Sequence, residues 1–162
     1  MSALYAALLT LHILSATLLF GTGLGTAFYL WMAHRGGDPR SIAAVSRHVV
    51  IADFLFTAPA AVIQPVTGIA LVGLGGIDPR SSWLVAAYLL FALAGACWLP
   101  VVGLQIRIRD LARDAVAAGR PLGPAYRRCM AIWFALGWPA ELWKNSLALK
   151  MSLRRNSHRS PW

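Results

Sequence analysis

An uncharged apolar stretch from Leu8 to Leu30 limits what this chain can fold into. The stretch contains no Asp, Glu, Lys or Arg. About 20 such residues in an α-helix, at a rise of ~1.5 Å each, cross the ~30 Å hydrocarbon core of a lipid bilayer. A soluble domain would have to bury a helix of this kind on every side. The stretch therefore predicts a membrane-spanning helix.

Three further apolar segments follow, and together they predict an all-α fold, a polytopic membrane four-helix bundle. The expected single transmembrane domain, 1–162, has spans at about residues 4–33, 46–73, 83–104 and 129–151 and a basic tail at 152–162. The fourth span is the weakest because it is interrupted by Pro139, Glu141, Lys144 and Lys150. A three-span variant, with this last segment lying on the inner surface, stays open.

The composition agrees with a membrane protein and argues against a nucleic-acid partner. Charged residues make up 13% of the chain and hydrophobic residues 58%, whereas a typical soluble domain is about 25% charged. The net charge is +9, but the arginines cluster between the apolar spans. That clustering favours contact with anionic lipid headgroups.

The arginine distribution also predicts the orientation of the chain. The segments after span one and after span three are rich in arginine, whereas the segment between spans two and three holds only Arg80. Positively charged loops stay on the cytoplasmic side of the membrane. The N-terminus is therefore expected outside, with the protein in the bacterial inner membrane.

Span two contains an acid, Asp53, and two prolines, Pro59 and Pro65. A proline inside a spanning helix removes a backbone hydrogen bond and usually kinks the helix. The short amphipathic segment before the span is expected to begin with Ser41 as its N-cap. Asp53 is expected to form a structural ion pair at the inner interface with Arg47, Arg107 or Arg109.

His12 lies inside the first span and is the residue that indicates most about function. Ionisable groups at membrane depth are costly, so they usually face a partner, a cavity or a cofactor. Aligning the midpoints of the spans places these polar residues at a similar height: Gln64, Thr67, Tyr88, Glu141, Lys144 and Asn145. Two interpretations stay open. Either His12 is hydrogen-bonded to a neighbouring helix, or it is an axial ligand of haem iron in an apolar bundle.

Several short motifs are typical of one group of membrane proteins. They are Leu11-His12-Ile13, the glycine-rich run to Gly25, Phe28-Tyr29-Leu30, Pro65-x-x-Gly68 and Trp138-Pro139. Over most of its length the chain resembles a family of small bacterial predicted integral membrane proteins of unknown function.

Span one is also similar, more distantly, to that of the HemJ-type protoporphyrinogen oxidases and the CopD-like four-helix membrane proteins. Those proteins have a His early in an apolar helix that ends with an aromatic–Leu–x–x–x–His type of sequence, here Tyr29, Leu30 and His34. The similarity implies haem b binding and membrane redox chemistry, with His12 as the ligand. Span three departs from the HemJ pattern because it lacks a Lys or His in its middle.

Two functional hypotheses follow. The first is a b-type haem-binding redox protein that transfers electrons or oxidises a small lipophilic substrate, with His12 as metal ligand and Gln64, Tyr88, Glu141 and Lys144 beside the cofactor. The second is a cofactor-free accessory subunit or small transporter that uses Glu141, Lys144 and Gln64 as a polar path. The expected partners are membrane lipid and either a redox partner or a second copy of the chain. Whether the protein is an enzyme stays open.

Overall fold

The computed structural model describes residues 3–137, and all regular structure in that range is helical. The elements are α1 (Ala3–Gly36), α2 (Pro39–Ala52), a π-helical turn (Asp53–Thr57, hereafter the π turn), α3 (Ala58–Leu74), α4 (Ser82–Ala117) and α5 (Pro124–Gly137). The all-α membrane fold expected from the sequence is confirmed. Most of the predicted fourth span, 129–151, lies outside the described residues.

Three of the described helices are long and apolar enough to cross a membrane. They are Ala3–Gly36, the continuous helix Pro39–Leu74 that contains α2, the π turn and α3, and Ser82–Ala117. Each has 34 or 36 residues, whereas a perpendicular span needs about 20. Each helix therefore tilts or extends past the hydrocarbon region.

The turn between α1 and α2 is closed by Asp38 rather than by Ser41. The Asp38 carboxylate accepts hydrogen bonds from the backbone N–H groups of Arg40 (3.2 Å) and Ser41 (3.0 Å) and from the Ser41 hydroxyl (2.8 Å). The prediction of Ser41 as N-cap is wrong because Pro39 already occupies the first helical turn, where a missing N–H costs nothing. The Ser41 hydroxyl, followed by the two backbone N–H groups, lowers the pKa of Asp38.

The π turn lies just before Pro59, one of the prolines at which the sequence predicts a kink. The backbone N–H of Ala58 donates to the carbonyl of Asp53, five residues earlier, instead of four as in an α-helix. Pro59 follows directly and has no N–H to offer to the preceding turn. The helix thus widens by one residue just before the proline, and wide turns of this kind are frequent at functional sites.

The helices pack tightly at one end of the bundle and diverge toward the other. α1 packs against α2 and α3, while α4 packs against α2 and α5. The core lies at the end that holds the α1–α2 and α4–α5 connections, and its largest buried members include Leu30, Ile42, Ile108 and Met130. Before Gln105, the only buried residue of α4 is Leu84. A cleft therefore separates α1 from α4.

Candidate functional site

His12 is held between α1 and α3 by hydrogen bonds at both ring nitrogens. The Gln64 side-chain nitrogen lies 3.1 Å from His12 Nε2, and the Thr67 hydroxyl oxygen lies 2.8 Å from His12 Nδ1. Ser15, one helical turn below, donates its hydroxyl to the Gln64 side-chain oxygen. The structure thus brings His12, Gln64 and Thr67 together, at the common height that the sequence predicts.

The donors in this cluster define one protonation state of the His12 ring. An amide nitrogen can only donate, so His12 Nε2 accepts from Gln64 and the ring proton resides on Nδ1. Nδ1 then donates to the Thr67 oxygen, and the Thr67 hydroxyl donates in turn to the carbonyl of Ile63 at 2.8 Å. The Ser15 hydroxyl is shared between the Gln64 side-chain oxygen and the His12 carbonyl. These hydrogen bonds connect the two membrane helices α1 and α3.

The residues around His12 do not fit a haem ligated by this side chain. An iron bond at Nε2 would displace the Gln64 amide, and a bond at Nδ1 would displace Thr67. The imidazole also packs on the backbone of Gly68, where a Cβ would stand 3.2 Å from His12 Cε1.

The remaining predicted site residues are not joined to this cluster in the described part of the chain. Tyr88 lies on α4 and is 41% exposed. Its hydroxyl makes no hydrogen bond to His12 or Gln64 among the described residues. Glu141 and Lys144 lie outside the described residues.

A second polar group lies in the cleft between α1 and α4. The cleft has a volume of about 530 Å³ and is lined by the middle of α1, the π turn, α3, α4 and one residue of α5. Its walls are mostly apolar and include four aromatic side chains, Phe20, Phe91, Trp98 and Trp133. Phe20 is 76% exposed, so the cleft opens sideways toward the lipid.

Asp53 lines the deep part of the cleft and makes no ion pair with any described residue. Its side chain is only 3% exposed. The Thr57 hydroxyl, at the end of the π turn, donates to Oδ1 at 3.1 Å, while Oδ2 has no hydrogen-bond partner within residues 3–137. The expected ion pair with Arg47, Arg107 or Arg109 is therefore wrong. Arg109 instead pairs with its neighbour Asp110 at 2.9 Å.

Two further buried polar atoms that lack a hydrogen-bond partner in the described part of the chain belong to residues that line the same cleft. They are the side-chain oxygen of Gln105 on α4 and the indole nitrogen of Trp133 on α5. Gln105 is 5% exposed and Trp133 is 4% exposed. Three helical elements thus each bring one unsatisfied polar atom to one cavity, and such atoms in a native interior call for an explanation.

Sequence reasoning missed Gln105 as a site residue and misassigned Asp53. Gln105 is the first strongly polar side chain after the long apolar run of α4. Asp53 and Thr57 are spaced one turn apart just before Pro59. An acid one turn from a hydroxyl, next to a helix-breaking proline inside a span, is a signal that the sequence carries. The sequence does not specify how each helix is rotated about its axis, so it does not show which residues face the cleft.

At the packed end, His34 connects α1 with α5. Its Nδ1 lies 3.0 Å from the Tyr126 hydroxyl, and its ring packs against Phe134 with a centroid distance of 5.9 Å. Tyr126 is buried, and this burial raises the pKa of its hydroxyl to about 12. The pair contributes to the core and lies apart from the cleft lining.

Comparison with known proteins supports the first of the two resemblances. Residues 6–154 match the model of the family described as "Predicted integral membrane protein (DUF2269)". No curated protein and no solved structure matches the chain. The more distant similarity to the HemJ-type and CopD-like proteins gains no support from these comparisons. With nearly its whole length matched, the chain belongs to this family of predicted integral membrane proteins.

Proposed function

We propose that the protein binds a small lipophilic molecule with a polar head group in the cleft between α1 and α4. The observation that carries this proposal is the convergence on one cavity of three buried atoms that have no hydrogen-bond partner within residues 3–137: Asp53 Oδ2, Gln105 Oε1 and Trp133 Nε1. Each such atom costs about 1–3 kcal/mol when it is left without a partner. A ligand that supplies the missing partners recovers that free energy on binding.

The shape and lining of the cleft suit such a ligand. Small-molecule sites are mostly apolar cavities of about 300–1,000 Å³ with a few convergent polar groups, and the cleft has about 530 Å³. Its opening beside Phe20 faces the region that lipid would occupy. A lipophilic molecule dissolved in the bilayer can thus enter sideways, with its polar head toward Asp53 and its body between the aromatic side chains.

Two glycines on α4 provide matched positions for testing whether the cleft binds a ligand. Gly95 lines the cleft, whereas Gly103 does not. A Cβ at either position would meet no atom within 4 Å. Gly95→Leu therefore fills the cleft, and Gly103→Leu adds the same side chain elsewhere on the helix.

The experiment measures binding of 1-octanol to the protein in lipid nanodiscs, through the concentration dependence of the melting temperature. We expect wild type and Gly103→Leu to be stabilised alike and Gly95→Leu to lose the stabilisation. Comparison with Gly103→Leu separates binding in the cleft from any effect of octanol on the bilayer itself. Equal responses of all three proteins would contradict the proposed binding function.

The haem hypothesis stays a prediction that a spectrum can test. The hydrogen bonds at both nitrogens of His12 speak against iron ligation in the conformation described here. A Soret band in the purified protein that His12→Ala abolishes would support haem b and a redox role. A folded, colourless protein from cells grown with ample haem would count against both.

The alternative of a polar path through Gln64, Glu141 and Lys144 also stays a prediction. Both ends of the Gln64 amide are engaged, one by Ser15 and the other by His12, so a path through Gln64 requires this cluster to open. The other two residues lie outside the described range. A transport role remains compatible with the cleft, because binding within the membrane is the first step of carrying a lipophilic molecule.

The proposed location is the bacterial inner membrane, with the N-terminus outside and the arginine-rich connections inside. Lipid is the partner that membrane insertion implies, while a redox partner or a second copy of the chain is a prediction without structural support. An alkaline phosphatase fusion after Trp162 reports where the chain ends. Activity there indicates an outside C-terminus and four spans, whereas an inactive fusion indicates three.

A further inference from the structure

The cleft has one acid and no base among its described lining residues. Asp53 is the only ionisable side chain in the lining, and no Lys, Arg or His from the described part of the chain accompanies it. A carboxyl group in apolar surroundings requires a proton, a cation or hydrogen-bond donors. Among the described residues, the Thr57 hydroxyl donates to Oδ1, and the Gln105 side chain from α4 also approaches the carboxyl as a hydrogen-bonding neighbour.

The arginines of the described chain are engaged or placed elsewhere. The described ion pairs join Arg109 and Arg113 to Asp110 and Arg113 to Asp114, all at the basic end of α4. None of them reaches the cleft. The chain has a formal charge of +9, yet Asp53 has no basic partner among residues 3–137, so this part of the cleft favours a positively charged group.

The open atoms also specify what the head group of a ligand offers. Asp53 Oδ2 and Gln105 Oε1 are both acceptors, and they come from different helices. A head group that serves both must carry at least two donors, which a hydroxyl does not. An ammonium group carries three donors and a positive charge. The Phe20, Phe91 and Trp98 rings in the lining favour a cation next to them.

Resting on the binding function proposed above, we propose that the ligand is a lipophilic amine whose ammonium group pairs with Asp53 Oδ2 and donates to Gln105 Oε1. The hydrocarbon body of the amine then lies along the apolar walls toward the opening beside Phe20. The indole N–H of Trp133 is a donor and serves a hydroxyl, ether or carbonyl oxygen on the same molecule.

Two probes of equal length separate the amine from any lipophilic ligand. Octylamine and 1-octanol share one alkyl chain and differ in the head group, so the cleft walls treat them alike. Asp53→Asn keeps the shape of the side chain and an acceptor for Thr57 but removes the charge. Gln105→Met removes the second acceptor while keeping the volume.

Apparent affinities are measured in nanodiscs by the same melting assay, with circular dichroism of each variant as the check on folding. We expect Asp53→Asn to weaken octylamine binding by about tenfold or more and to change octanol binding by less than about twofold. Gln105→Met should weaken octylamine binding by a smaller factor. Gly103→Leu should resemble wild type with both probes.

The outcomes distinguish the two proposals. If octanol binds in a way that Gly95→Leu abolishes, while octylamine shows no dependence on Asp53, the cleft is a ligand site and the amine assignment is overturned. If neither probe responds to Gly95→Leu, the binding function itself fails. If Asp53→Asn does not fold, Gln105→Met decides the question. A reduced preference for octylamine over octanol in this variant supports the amine assignment, and an unchanged preference contradicts it.

Discussion

The Gly68 backbone lies directly beneath the His12 imidazole, so close that a Cβ at position 68 would stand 3.2 Å from Cε1. A helical alanine is normally about 1 kcal/mol more favourable than glycine. At this site the added methyl group must displace a ring that is tied at both nitrogens. The glycine of the Pro65-x-x-Gly68 motif therefore has a specific role, which is to admit the ring.

We expect Gly68→Ala to lose the usual gain in helix stability and to destabilise the protein by about 1 kcal/mol, because overpacking outweighs propensity. Thermal unfolding in detergent micelles measures the change. Gly103→Ala is the matched control, since a Cβ there meets no atom within 4 Å, and it should stabilise or be neutral. A Gly68→Ala protein as stable as the control would contradict the close contact.

Removing the Gln64 amide should destabilise the α1–α3 contact. Gln64→Leu removes the partner of His12 Nε2 and the interhelical acceptor of the Ser15 hydroxyl, which keeps the His12 carbonyl at 2.9 Å as an acceptor. Interhelical hydrogen bonds in membranes contribute about 0.6 kcal/mol on average and about 1.7 kcal/mol at most. Because two bonds are lost at once, we expect a loss near the upper value in reversible unfolding experiments.

Thr10→Val is the control for this measurement. The Thr10 hydroxyl donates to the carbonyl of Ala6 within the same helix and is exposed, so its removal should change stability little. If Gln64→Leu and Thr10→Val are equally stable, the His12 cluster does not hold the two helices together.

The Tyr126 hydroxyl should ionise well above the ordinary range of tyrosine. Burial raises its pKa from 10.0 to about 12, and burial is absent in the unfolded chain. The contribution to stability is thus fully present below pH 10.0 and is lost as the pH rises through about 12. The difference in absorbance at 295 nm between wild type and Tyr126→Phe should therefore appear near pH 12. A difference that develops fully near pH 10.0, the ordinary pKa of tyrosine, would show that Tyr126 is solvated.

The Asp38 cap should make the start of α2 sensitive to acid. The Ser41 hydroxyl and the backbone N–H groups of Ser41 and Arg40 lower the pKa of Asp38 from 3.8. The stabilisation by the carboxylate is therefore present above pH 3.8 and is lost as the pH falls through the lower pKa of the folded state. Asp38→Asn keeps an acceptor at the cap and should remove this acid dependence, while Asp38→Ala should weaken the cap at every pH. Amide hydrogen exchange at Arg40 and Ser41 reports the effect. Identical exchange in wild type and Asp38→Ala would contradict the capping role.

The membrane fold could be predicted because its signal is summed over many residues. A run such as Leu8–Leu30 remains apolar whatever its neighbours do. The shared height of His12, Gln64 and Thr67 followed from the fixed rise of a helix, and the structure joins all three. Their contact also depends on helix rotation, which a height does not specify.

The cleft could not be predicted because it depends on that rotation and on which helices diverge. Asp53 and Gln105 lie 52 positions apart in the sequence, and nothing in either segment indicates that both line one cavity. An arginine partner for Asp53 was a reasonable expectation from charge alone. The structure instead gives the acid a hydroxyl from its own turn and the side chain of Gln105 as neighbours, while Arg109 pairs with Asp110.

The wide turn at Asp53–Thr57 makes the length of this helix adjustable. A π-helical turn accommodates one residue more than an α-helical turn. One residue can therefore be removed from it while the segments before and after it keep the faces that they present to their neighbours. Omitting Leu55, which is 61% exposed, would let the backbone close into an uninterrupted α-helix. Gln64 and Thr67 would still meet His12, but Asp53 would lose the local geometry that presents it to the cleft. A homologue one residue shorter at this point would thus keep the scaffold and lack the acid site.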